Sequence, residues 1–197
     1  ILNGRRTERL ESISAELEKK FNIAVLQLPF DVRDEKTVFE CIKNIPSDWQ
    51  QIDILINNAG ILRDRTLMKM TDEEWDIVID TNLTGVFNIT KAFLPLFNES
   101  GGNIINVGSI VGITGNFGQT NYSASKSALI AFTKSLSQEL ASKNINVNLV
   151  SPSLVDTPMI QKLTCQQIAR LVDRTAIKRI AKPEEISKFI LFLYIKG

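Results

Sequence analysis

The chain has 197 residues, 44% of them apolar and 23% charged, with a formal net charge of +1. That length and balance suit one folded domain with a sizeable core. A charge near zero offers no electrostatic pull toward nucleic acid or an anionic membrane, so neither is expected as a partner. Histidine is absent, which excludes a Ser-His-Asp triad, a Cys-His dyad and nearly every zinc site. Acid–base chemistry must then use Tyr, Lys, Asp or Glu. Cys41 and Cys165 lie far apart without CxxC partners and read as ordinary thiols, and no metal is expected. No run has the length of a transmembrane helix and nothing resembles a signal peptide, so the cytoplasm is the expected location.

Ile1-Leu2 reads as the tail of a strand that runs into Asn3-Gly4-Arg5-Arg6. Thr7 to Lys20 carries Leu10, Ile13 and Leu17 at helical spacing. Ile23 to Leu28 is a strand candidate, and Asp34 to Ile45 a second helix. Ile52 to Ile56 predicts a strand ending in Asn57-Asn58-Ala59-Gly60. Thr71-Asp72-Glu73-Glu74 is a capping box, which predicts one long helix to about Leu94. Asn103 to Val107 predicts a strand ending in Gly108-Ser109. Thr120 to Ser142 predicts another long helix, Ile145 to Val150 a strand ending in Ser151-Pro152-Ser153, and Pro183-Glu184-Glu185 the start of a last helix. Short β-branched runs suit the buried strands of a parallel sheet, and their alternation with amphipathic runs means βαβ units, hence an α/β fold with a doubly wound parallel sheet. In such sheets ligands bind beyond the carboxyl ends of the strands.

At that edge Tyr122 and Lys126 stand at i and i+4 of a predicted helix and so share a face. A lone Tyr-x-x-x-Lys match carries little, since a helix surface pair would give it too. A nearby ammonium favours a phenolate and would lower the phenol's pKa, making it a proton donor and acceptor without histidine. Ser109 ends a strand at the same edge, where its hydroxyl could hold a carbonyl oxygen.

Asn57-Asn58-Ala59-Gly60, Asn82 in Thr81-Asn82-Leu83-Thr84-Gly85, Ser109, and Tyr122-x-x-x-Lys126 occur in the order and spacing of the short-chain dehydrogenase/reductase family, which the chain resembles from about Asn3 to Leu193. Ile61-Leu62-Arg63-Asp64, Asn103 to Ser109 and Gly115 to Tyr122 look most like its 3-oxoacyl-[acyl-carrier-protein] reductases. The resemblance implies a Rossmann-like fold and hydride transfer between a nicotinamide and a carbonyl carbon. Tyr122 would exchange the proton, Lys126 would tune it and hold the nicotinamide ribose, Ser109 would orient the substrate oxygen, and Asn82 would bend its helix and hold a water leading to Lys126.

By the same resemblance Asp31 and Val32 would flank the adenine, Asn58, Ala59 and Gly60 the adenosine ribose and pyrophosphate, and Pro152, Ser153, Val155 and Thr157 the nicotinamide carboxamide. Ser153 stands where the family usually has Gly. Arg5 and Arg6 would meet the 2′-phosphate, which favours NADP(H) over NAD. The family's opening strand with its TGxxxGxG turn and its last strand have no counterpart, so residues 1–197 are expected to be one NADP-binding reductase domain, truncated or with unobserved flanks at both ends. Asn98 to Gly102 lacks the basic residues that carrier-protein reductases place before the serine strand, and Gln161 stands where another basic residue is expected. Met159 to Val172, with Ile160, Leu163, Ile168 and Leu171, is expected to form a mobile apolar lid.

The expected activity is reduction of a 3-oxoacyl thioester by NADPH, with an acyl carrier protein as candidate partner. The alternatives are an NADP-dependent dehydrogenase of a small hydroxy acid or alcohol and a non-catalytic assembly or cofactor-sensing subunit. The two long helices resemble those that pair subunits in the family, which predicts a homotetramer.

Overall fold

The computed structural model describes residues 1–160 and 164–196; expectations for Gln161, Lys162 and Leu163 lie outside the described residues. The elements in chain order are β1 (Leu2–Gly4), α1 (Thr7–Phe21), β2 (Gln27–Pro29), α2 (Glu35–Lys43), β3 (Ile54–Asn57), α3 (Asp72–Ile79), α4 (Gly85–Phe93), β4 (Gly102–Val107), α5 (Val111–Thr114), α6 (Thr120–Leu140), β5 (Ile145–Val150), α7 (Cys165–Asp173) and α8 (Pro183–Lys196). Every strand pairing is parallel, in two pieces: β1 with β2, and β3–β4–β5 with β4 in the middle.

Parallel strands need helical crossovers, and the chain supplies them with capped helices. Asp34 accepts from the Thr37 amide to start α2, and the Thr71–Glu74 capping box starts α3. Asn22, left-handed at φ 51°, stops α1 with its amide on the Glu18 carbonyl. A second capping box, Thr164 with Gln167, starts α7 inside the expected lid.

One apolar core serves both sheet pieces, joining Leu28, Phe30 and Val38 to Leu55, Ile104 and Val147. Ile104 sits at its centre, paired with Leu55 on one side and Val147 on the other. Three expectations shift. The second strand begins at Gln27, not Ile23, because its pairing with β1 covers only Leu2 to Gly4. The third strand was expected to be buried, yet Ile56 is 46% exposed, because β3 is an edge strand whose outer face borders a cavity. The long helix expected from Thr71 to Leu94 is broken by a π turn at Asp80–Thr84, which separates α3 from α4.

Among the described residues no helix is long and apolar enough to cross a membrane. Ile104→Ala should destabilise the protein by about 2–5 kcal/mol, the usual range for truncating a fully buried aliphatic side chain. Phe117→Ser, at a side chain 89% exposed, should stay within about 0.5 kcal/mol. Urea denaturation of the two variants measures the contrast.

Candidate active site

The carboxyl ends of β3, β4 and β5 meet the N-terminal turns of α6, and the candidate residues gather there. Lys126 projects from α6 to the end of β4, where its Nζ donates to the Val107 carbonyl at 2.7 Å. Its side chain is almost wholly buried, and burial lowers its pKa to about 8. Tyr122 lies one turn earlier on the same face, with the ammonium 5.8 Å from its ring centroid. Burial pushes the phenol above its ordinary value; Ser109, within hydrogen-bonding reach, pulls it down, and the Asp64 carboxylate pushes it up. Burial is the first influence on the phenol in this structure, and the ammonium gives one of its protons to a carbonyl.

Three buried amides hold this arrangement. Asn82, wholly buried in the π turn, accepts from the Ile61 amide at 2.8 Å and donates to the Ile61 carbonyl at 3.1 Å and to Ser125 Oγ at 3.3 Å. Ser125 Oγ in turn donates to the Tyr122 carbonyl at 2.8 Å. Asn121 Nδ2 donates to the carbonyls of Arg63 and Glu74 at 3.1 and 2.9 Å, pinning the start of α6. Asn106 on β4 accepts from Asn57 on β3 at 2.8 Å and donates to Thr133 on α6 at 2.9 Å. Packing is equally close at Gly112, where a Cβ would fall 2.7 Å from the Lys126 carbonyl carbon. Of these residues the sequence reading singled out only Asn82 as functional. Asn121, Ser125, Lys126 and Thr133 are all buried on α6, and a polar stripe along a helix flanked by strands was a signal that they were bonded rather than solvated.

Two cavities meet at Tyr122. The first, about 730 Å³, is bounded by Asn58, Gly60, Val107, Lys126, Pro152, Ser153, Val155 and Thr157, among others. The second, about 1000 Å³, is bounded by Arg63, Asp64, Asn116, Gln119, Leu171 and Arg174, among others. Ser109, Tyr122, Gly60 and Ser153 border both. Asn58, Gly60, Lys126, Pro152, Ser153, Val155 and Thr157, the nucleotide and carboxamide contacts expected from the sequence, thus converge on one cavity.

The adenosine end is different. Asp31 takes a two-pronged hydrogen bond from Arg33 and lies 3.7 Å from Arg5, and the Arg33 hydrogen bonds hold its carboxyl below the usual range. Val32 is buried, and its carbonyl accepts from Asn88 on α4. Arg5, Asp31, Val32 and Ala59 border neither cavity, and Arg6 opens onto the second rather than the first. Arg33 was missed by sequence reading, which weighed only the arginines after β1.

The profile of the short chain dehydrogenase family matches residues 1–168. The chain belongs to this family. Within it, the chain is 44% identical to the 3-oxoacyl-[acyl-carrier-protein] reductase FabG of Thermotoga maritima, over 83% of this chain and 67% of that protein. It is 42% identical to the FabG of Haemophilus influenzae, over 93% of this chain and 74% of that protein. Another family relative is the L-sorbose reductase of Gluconobacter frateurii, whose structure was determined with NADPH and L-sorbose. It superposes with a TM-score of 0.89 at 29% identity, covering 98% of this chain and 78% of that one.

The buried lysine makes a pH signature. Lys126 titrates near 10.5 when solvated and near 8 in the folded chain. Between these values the unfolded state holds more protons, so stability at this position rises with pH across that window, by roughly 3 kcal/mol in all. Urea denaturation of the protein and of Lys126→Met from pH 8 to pH 10.5 should show the wild type gaining on the variant. A constant gap would mean that the ammonium is not desolvated.

Proposed function

We propose that this chain is the reductase domain, residues 1–197, of an NADP(H)-dependent enzyme that reduces 3-oxoacyl thioesters to 3-hydroxyacyl thioesters. The observation that carries the reading is the position of Tyr122 and Ser109 on the wall common to two cavities, with Lys126 bordering only the first. A proton donor at such a junction can serve a carbonyl lying in one cavity beside a nicotinamide lying in the other. The FabG relatives favour the thioester, and the NADPH in the L-sorbose reductase favours the phosphorylated cofactor.

The residues present fit that cofactor. Gly60 lies against both Asn82 Oδ1 and Lys126 Nζ, which a Cβ placed there would meet in ordinary contact at 3.4 and 3.7 Å. An ammonium has three donors, and Lys126 uses one on Val107, which leaves two for ribose hydroxyls. Asn58 and Gly60 would line the ribose and pyrophosphate, and Pro152, Ser153, Val155 and Thr157 the carboxamide. Arg5 and Arg6 would meet the 2′-phosphate near Asp31 and Val32, with Ala59 beside them. When bound, NADPH supplies the hydride that reduces the carbonyl carbon.

The protein's own groups do the rest. The Ser109 hydroxyl donates to the carbonyl oxygen and orients it. The Tyr122 hydroxyl gives that oxygen its proton as negative charge develops there. A phenol raised by burial stays protonated at neutral pH, which suits the reducing direction. Asn82 holds Ile61 against the loop that follows β3, keeping Gly60 in place. Reduction of a small hydroxyketone or keto acid is the second reading, favoured by the likeness to the L-sorbose reductase.

Further parts of the proposal are an acyl carrier protein as donor of the thioester, the cytoplasm as location, and a homotetramer. Exposed Trp75 on α3 and Phe87 on α4 supply apolar surface for the subunit contacts. Light scattering on the intact protein should give four times the subunit mass, and a monomer would remove that part.

The decisive experiment follows NADPH oxidation by the intact protein with acetoacetyl thioesters and with a panel of small ketones, beside Tyr122→Phe. Loss of the phenolic proton should cut kcat by about 10²–10⁴-fold while NADPH still binds. Wild-type turnover in the variant would sink the mechanism.

A further inference from the structure

The second cavity carries more positive charge than the proposed chemistry uses. Arg6, Arg63, Asp64, Arg65, Glu74 and Arg174 all border it. Two of these are neutralised locally: Arg65 Nε donates to Glu74 Oε1 at 2.9 Å. Asp64 accepts from Gln119 Nε2, also at 2.9 Å. Among the described residues the Arg63 side chain donates only to the neighbouring Leu62 carbonyl, at 2.8 Å. Among the described residues neither Arg63 nor Arg174 forms an ion pair with a carboxylate.

These two arginines come from separate parts of the fold. Arg63 lies in the loop beyond β3, held by the Asn121 bond to its carbonyl. Arg174 closes the C-terminus of α7, its amide on the Leu171 carbonyl. Arg63 thus sits on backbone tied to α6, and both arginines border the cavity that also presents Ser109 and Tyr122. A guanidinium offers a planar fork of donors that matches a carboxylate or a phosphate and cannot be discharged at any working pH. With Arg6 also at this cavity, the two forks outweigh Asp64, the one carboxylate there without an ion pair among the described residues, and favour an anion.

We infer that Arg63 and Arg174 form an anion-binding subsite for a carboxylate or phosphate carried by the substrate at a distance from its reacting carbonyl. The inference rests on the reductase reading and adds a requirement on the substrate: it bears a negative charge, which the two arginines recognise together.

The test uses the intact protein with NADPH and two matched pairs of substrates. One pair is acetoacetate and its ethyl ester, which differ by a carboxylate charge. The other is acetoacetyl-4′-phosphopantetheine and acetoacetyl-pantetheine, which differ by a phosphate. Wild type should show a lower KM for the charged member of at least one pair, and that pair identifies the source of the anion. Arg174→Gln and Arg63→Gln should each raise the ratio of charged to neutral KM about tenfold, the order of one charge-assisted hydrogen bond. Added salt should erode the wild-type preference. If each variant shifts both members of the pair equally, or shifts only the KM for NADPH, the subsite is refuted. If wild type turns over the neutral compounds but gains nothing from charge, this inference falls and the reductase reading stands. If none of the four is reduced, both fall.

Discussion

The buried ammonium of Lys126 is the constraint around which the site is arranged. A lysine inside a protein is costly unless its protons are bonded, and here the Val107 carbonyl at the end of β4 takes one of them. That bond fixes the distance between α6 and the sheet edge. The side chain can reach only if the helix lies close, and Gly112 is the place where α5 gives way to let it. Once Lys126 is placed, helical geometry puts Tyr122 beside it, and the end of β4 puts Ser109 within reach of the phenol.

The rest of the polar interior keeps this arrangement from relaxing. Asn57, Asn106 and Thr133 form a hydrogen-bonded chain from β3 through β4 to α6. Asn82 and Ser125 form a second chain, from the loop after β3 to the carbonyl of Tyr122 itself. In a low-dielectric interior each such bond is stronger than in water, and each unmade one is costly. The network therefore acts as a template: one geometry satisfies all of its members.

Much of this was legible in the sequence. Strand ends rich in Asn, Gly and Ser marked the binding edge. Helical period pairs Tyr122 with Lys126 and strand termination marks Ser109, and the resemblance to the short-chain dehydrogenase/reductase family joined the three. Other features depend on tertiary context. The exposure of Ile56 follows from the edge position of β3, which no local pattern encodes. Spacing places an ammonium near Tyr122 but cannot show that the Val107 carbonyl holds one of its protons or that burial acts on the phenol. The place of Arg174 at the second cavity depends on where α7 lies, although the Thr164–Gln167 capping box that starts α7 could have been read from the sequence.

The π turn sets the phase of this helical segment. One extra residue per π turn advances everything after it by about 100° relative to an uninterrupted α-helix. Asn88, Ile89, Ala92 and Phe93 are buried in that advanced phase, while Asn82 occupies the turn itself. Winding the same residues, with none deleted, as one regular α-helix would give better backbone geometry. It would also swing Ile89 and Phe93 out of the core and take Asn82 away from Ile61. The irregularity is thus a phase adjuster, and a locally smoother helix would be a worse fit to both the core and the site.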